Sequence, residues 1–366
     1  VSVDKEVEMN NSNVNIVLRG LAVATMLATS TLPAAADGKF DGVTLRVATF
    51  GGSWKESLEA TITPKFESMG GKIEYVTGSP QANLAKLIAG RGRAPFDVME
   101  ILDAQVPDFM ATDFLQKIDL SKVPNTRYLA DFQYNDMMVA SWNTQETICY
   151  NKEKFAELGI PAPKTYADLA VPALEGRISI PDITSGGGLA NFAGFAYAAG
   201  GDGVNIAPGI ELIRSLKALK FWSRGGETVT QFGSGDIYAA VVHAGWCVRT
   251  KNAGYPVTTA HPVITDSIKG VAKEGWLGIM KSSEHPEAAV WFINEYIDEG
   301  FQYRAATRNG VMPVNQAGIA RLSADPVAAE MLELDPVMIA KALRVDYSRV
   351  NISDWIDSWN RMVSSQ

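Results

Sequence analysis

The chain has 366 residues, 46% of them hydrophobic, and a net charge of −8. That length accommodates two domains of ordinary size with full cores. The acidic balance, with no basic block anywhere, argues against nucleic acid as a partner and leaves the charge of any small-molecule pocket open.

The first 36 residues read as an address. Arg19 precedes an apolar run, 20–28, that is too short to span a bilayer. Ala34-Ala35-Ala36 supplies the small residues of a signal-peptidase site, which places cleavage before Asp37. Polar residues ahead of Met9 are unusual for such a signal, and translation is expected to start at Met9; a buried N-terminal helix is the alternative reading. No cysteine stands at the cleavage site to carry a lipid, and no later run is long and apolar enough to cross a membrane. A soluble, exported mature protein is expected.

Residues 45–49 read as a buried strand, and Gly51-Gly52 as the turn that follows it. Ser53 and Glu56 have the spacing of a capping box, so a helix is expected from Trp54, with Leu58, Ile62 and Phe66 on its inner face. Pro64 should bend that helix and Gly70-Gly71 end it. Residues 73–76 and 96–102 are further strands, and Leu84, Leu87 and Ile88 mark a helix between them. Strands separated by helices imply parallel βαβ units, and Asp103 stands just past the end of the third strand. After Trp142 the pattern changes. Residues 147–150 form a strand without a glycine turn, 151–158 a short helix, and 159–163 a proline-containing link. A second α/β unit follows: a strand at 177–180, a turn through Asp182, Ser185, Gly186, Gly187 and Gly188, and a helix carrying Phe192, Phe195 and Ala196. The apolar run 239–248 is broken by small residues, 276–280 is a last strand, and 286–297 is an amphipathic helix. Cys149 and Cys247 both lie in apolar strand-like runs; two buried thiols are expected, although export would also permit a bridge.

The stretches Tyr150-Asn151-Lys152, 158–169 (Leu-Gly-Ile-Pro-Ala-Pro-Lys-Thr-Tyr-Ala-Asp-Leu), 116–123 and Gly310-Val311-Met312-Pro313 with Asn315 resemble the extracellular solute-binding proteins of ABC importers. The likeness is to the spermidine/putrescine-binding branch with its thiamine and iron relatives. It covers nearly all of the mature chain. It implies an α/β, two-lobed periplasmic binding protein fold (type II), with parallel-rich sheets flanked by helices and a ligand cleft between lobes. The lobes it implies are 37–144 with 275–312 and 145–274 with 313–366, after a signal peptide at 1–36. It further implies a periplasmic monomer, without cofactor, that binds a small solute and delivers it to an inner-membrane permease with its ATPase.

Ligands of open α/β sheets bind outside the carboxyl ends of strands. With the resemblance, this nominates Gly52, Ser53, Trp54, Ser79 and Asp103 from the first lobe and Trp142 and Gln145 from the crossing. Asp182, Ser185, Gly186, Gly187 and Trp246 come from the second lobe, and Glu274 from the return. The tryptophans offer apolar faces and, to a cation, their π-electrons; core packing is the alternative for each. Trp246 is the strongest of them, because its family position faces the cleft. Asp103, Asp182, Asp236 and Glu274 could pair with an amine, Asp103 foremost, whereas Asp236 also reads as a solvated loop residue. The expected cargo is a polyamine-like amine or an amine-plus-carboxylate compound. However, polyamine binders carry several acids in the turn that here holds only Asp182, Ser185 and three glycines. Free N–H groups there would suit an anion, or the turn merely lets its helix pack closely. A thiamine- or phosphonate-type solute is the alternative. Iron is disfavoured, since the adjacent tyrosine pair of iron-binding relatives is missing, and His243, His261 and His285 lack metal-ligand spacing. No GxSxG or Walker pattern occurs, so no enzyme is expected; the one enzymatic alternative is Cys247 as a cleft nucleophile.

Overall fold

The computed structural model describes residues 38–364; the expected signal peptide lies outside them. Ten strands form one twisted sheet: β1 (Thr44–Thr49), β2 (Lys72–Thr77), β3 (Val98–Leu102), β4 (Leu115–Gln116), β5 (Met138–Asn151), β6 (Ile178–Pro181), β7 (Lys220–Trp222), β8 (Ala239–His243), β9 (Val257–Ala260) and β10 (Val271–Met280). Their order is β2-β1-β3-β10-β5-β8-β6-β7, with β4 on β10 and β9 on β5. The outer ladders, β1 with β2 and β3 and β6 with β7 and β8, are parallel, as the helices between them require. The central ladders are antiparallel.

Two long strands join the halves of the sheet. β5 pairs with β10 through residues 138–146 and with β8 through 146–150. From Gly275 onward β10 also pairs with β3 on its other edge, while its ladder with β5 continues in a shifted register. The register breaks between Gly275 and Trp276, where the Trp142 indole lies on the Gly275 backbone. A Cβ at position 275 would come within 2.2 Å of that ring, so only glycine fits. Residues 311–313 return beside β5, with paired backbone hydrogen bonds between Asn143 and Met312.

Each half has its own apolar clusters. Leu45, Val47, Leu58, Val98, Leu277, Phe292 and Tyr296 pack on one side, and Ile148, Ile180, Phe192, Phe195, Val241 and Trp359 on the other. Elements fall where hydrophobic periodicity places them, with three instructive exceptions. The helix carrying Leu58 breaks at Ile62, before Pro64, into Ser53–Thr61 and Thr63–Glu67. Ile88, expected to mark an inner face, is 59% exposed, because the helix Pro80–Ala89 buries Asn83 and Leu87 instead. The two cysteines are a disulfide, not two thiols: Cys149 on β5 is bonded to Cys247. Cys247 lies not in a strand but on the helix Ala244–Asn252, whose inner face brings it over β5. Among the described residues no helix is long and apolar enough to cross a membrane.

Candidate functional site

A cleft of about 770 Å³ opens where the carboxyl ends of strands from both halves face one another. Three helices begin at its wall: Ser53–Thr61, Pro80–Ala89 and Ala244–Asn252. Helix starts carry unpaired N–H groups and the positive end of the macrodipole, so their convergence favours negative charge.

The first of these starts differs from a capping box. Gly52, with φ of 60° and ψ of −139°, occupies the cap position itself, a conformation that glycine alone adopts without strain. Ser53 is thereby the first helical residue, and its hydroxyl donates across to Asn309 Oδ1 at 2.6 Å. Glu56, instead of reaching back to the cap, accepts from Arg308 at 2.6 Å. Ser79 does cap its helix, accepting from the Ala82 N–H at 3.1 Å.

Behind the floor lies Glu100, 1% exposed on β3. Trp54 Nε1 (2.9 Å), Tyr296 OH (2.8 Å) and the Thr49 hydroxyl all donate to its Oε1, and Trp142 Nε1 donates to its Oε2 at 3.0 Å. Burial holds the Glu100 pKa above the usual carboxylate range, and the four donors offset only part of that rise. The effect on the site is geometric. Both indoles turn their N–H groups toward Glu100, so Trp54 and Trp142, 6.0 Å apart and edge-to-face, present carbon surface to the cleft.

The opposite wall is charged. Burial opposes ionisation of Glu146, which is fully enclosed, but His243, Lys273 and the Asn191 amide together hold its carboxyl below the usual range. His243 bonds Glu146 through Nδ1. Burial, with Lys273 and Arg249 nearby, lowers the histidine pKa against the pull of Glu146. We therefore assign a neutral ring with its proton on Nδ1, leaving Nε2 to accept from Lys273 Nζ at 3.5 Å. That ammonium also donates to the Gly186 carbonyl at 2.6 Å and lies 5.4 Å from the Trp142 ring centroid. Burial lowers the Lys273 pKa, and Glu146 and Asp103 oppose this.

Arg249 is different. Its guanidinium lies 4.2 Å above the Trp246 ring and donates to Asn309 Oδ1 at 3.3 Å. Burial lowers its pKa, and no carboxylate opposes the shift. Among the described residues, no Asp or Glu lies within ion-pair distance of it, and none lines the cleft.

Known proteins match this chain in sequence pattern and in fold. The sequence model of the bacterial extracellular solute-binding proteins matches residues 51–303. The chain belongs to that family. No curated protein sequence matches it. An ABC transporter from Clostridium perfringens is 23% identical, with a TM-score of 0.70, covering 87% of this chain and 99% of its own. The PBP MotA from A. tumefaciens B6 in complex with glucopine is 19% identical, with a TM-score of 0.67 over 87% and 99%. A GABA receptor is 17% identical, with a TM-score of 0.70 over 87% and 96%. At these identities the structures establish the fold, that of type II periplasmic binding proteins. Family and fold together make the chain a bacterial extracellular solute-binding protein. The thiol needed for the enzymatic alternative is consumed in the disulfide.

In this solute-binding protein, Gly52, Ser53, Trp54, Ser79, Trp142, Ser185, Gly186 and Trp246 line the cleft. Five other nominated residues do not, because each is engaged by the protein itself. After β3 the chain turns directly into a 3-10 helix at Asp103–Gln105, so Asp103 folds back onto its own Ala104 N–H (2.8 Å) and Leu102 faces the cavity. Asp182 accepts from Trp359 Nε1 at 3.0 Å and from Thr184. Gln145 pairs twice with the Glu333 backbone, Glu274 with Arg344 at 3.0 Å, and Gly187 is buried under the Asn191 amide. Asp236, too, stays outside the cleft, accepting from Ser234 at 2.7 Å. Sequence reasoning passed over Arg249, Lys273, His243 and Asn309. Arg249 was within reach, since it follows Trp246 by three positions on one helix and therefore shares its face. Asn309 carries no local signal.

Proposed function

We propose that this protein captures a small organic anion, bearing a carboxylate or phosphonate beside an apolar or weakly polar body, and delivers it to a membrane permease. One observation carries the reading: Arg249 is half-buried with a single neutral hydrogen-bond partner and no counter-ion among the described residues, in a cleft lined by no acidic side chain. A charge drawn partly out of water gains most from a partner, and closure of the cleft would remove more of its water, so the missing partner is assigned to the cargo. Lys273 and the three helix starts at the wall act in the same sense. A polyamine would bring positive charge to a positive wall, with Asp103, Asp182 and Glu274 all turned to other partners. The Trp54–Trp142 floor supports the apolar body by burying its surface. Cargo touching residues of both lobes, within the boundaries 37–144 with 275–312 and 145–274 with 313–366, stabilises the form in which they close. The Cys149–Cys247 bond accords with an oxidising, periplasmic location.

Titration calorimetry tests the reading with 4-aminobutyrate, succinate, 2-aminoethylphosphonate, putrescine, spermidine and thiamine. The GABA receptor among the structural neighbours makes 4-aminobutyrate a natural first probe. Binding is expected among the three probes that carry a carboxylate or phosphonate. Heat from putrescine or spermidine, with none from the anions, overturns the assignment and restores the amine cargo.

A further inference from the structure

Arg249 keeps its charge available through the nature of its one partner. Its one hydrogen bond goes to Asn309, at the end of the helix Glu299–Asn309. Asn309 is 3% exposed and lines the cleft. Its Oδ1 accepts twice, from the Ser53 hydroxyl at 2.6 Å and from Arg249 Nη2 at 3.3 Å. Two donors on one atom settle the orientation of the amide, because a flipped group would set its NH₂ against them. The Nδ2 group is then a buried donor, and it has no partner among the described residues. Such a group is costly unless something else satisfies it.

We propose that Asn309 sets the charge class of the cargo. Its neutral oxygen holds the guanidinium over Trp246 without cancelling its charge, and its unused N–H is a second donor for the same anion. Aspartate at this position has the same shape and the opposite effect. It would form an ion pair with Arg249, stabilise the empty protein and present a carboxylate where the cargo's own should sit. Asn309 is thus a specificity-determining residue. The proposal rests on the anion reading and is separable from it, because it makes a prediction about the empty protein as well.

The test compares Asn309→Asp with Asn309→Ala in the full chain, by calorimetry with 4-aminobutyrate, succinate, 2-aminoethylphosphonate and putrescine and by thermal melting without ligand. The expected result is that Asn309→Asp weakens binding of the anionic probe by about a hundredfold, while Asn309→Ala, which leaves the arginine charged, weakens it about tenfold or less. Unliganded Asn309→Asp melts above Asn309→Ala and no lower than the parent protein. Two results overturn the proposal: Asn309→Asp binding the anion within threefold of the parent, or melting no higher than Asn309→Ala. If the parent binds only putrescine, or no probe at all, the anion reading loses its support, and the melting comparison alone decides whether Asn309 keeps Arg249 uncompensated.

Discussion

Glu100, fully buried, and Arg249, half-buried, are ionisable groups beside the same cleft, and the protein treats them in opposite ways. Glu100 receives four hydrogen bonds, from Thr49, Trp54, Trp142 and Tyr296. Arg249 makes one, to a neutral amide, although it has five N–H groups to offer. The saturated carboxylate acts inward, orienting the two indoles. The unsaturated guanidinium has interactions still to make, and these define a place for a ligand. A buried charge is therefore read by its partners: a full complement marks scaffolding, and a deficit marks a binding group.

The comparison can be broken at either end. The largest effect is expected at Glu100→Gln, where an amide NH₂ must confront at least one of the four donors. Stability should fall by about 3 kcal/mol, measured by urea unfolding, and affinity should fall with it as Trp54 and Trp142 lose their anchor. A loss under about 1 kcal/mol would indicate that Glu100 is protonated in the folded protein and that its partners are arranged differently. Arg249→Gln should show the reverse pattern: the anionic probe binds about a hundredfold more weakly, while the unfolding midpoint stays level or rises because an unpaired buried charge has gone. A stability loss comparable to that of Glu100→Gln would make Arg249 scaffolding too.

The smallest effect concerns Asp103, which sits between these extremes. Burial pushes its pKa up to about 7, against the pull of Lys273. A carboxyl raised in the folded state favours its protonated form there. The stability it contributes is present in full below its unfolded pKa, about 4, and is lost as the pH rises through 7. Between pH 5 and pH 8 the parent protein should therefore lose stability relative to Asp103→Asn, on the order of 1 kcal/mol because water still reaches the group. Identical pH profiles for the two proteins would show that Asp103 titrates normally.

Much of the cleft's frame was legible in local sequence. Strand 45–49 with its glycine turn, the strand and turn that lead to Ser185 and Gly186, and the small-residue break before Trp246 all mark strand ends. All three deliver residues to the cavity wall. The failures share a cause. Ser53–Glu56 has the capping-box spacing, but Gly52 takes the cap and leaves Ser53 free to meet a side chain 256 positions away. Asp103, Asp182 and Glu274 lie close to the cleft in sequence terms, but Ala104, Trp359 and Arg344 claim them. The spermidine/putrescine likeness identified the right family at the level of its fold, and the amine cargo it implied depended on those acids being free.

What the sequence by itself determined is the alternation of strands and helices, the glycine turns at strand ends and the family, because hydrophobic period and backbone freedom act over a few neighbouring residues. The tertiary structure alone decided that Cys149 meets Cys247, that Glu100 is saturated and that Arg249 is not. Whether a buried charge is neutralised depends on which groups lie within a few ångströms of it. Those groups come from chain segments whose meeting no local pattern records.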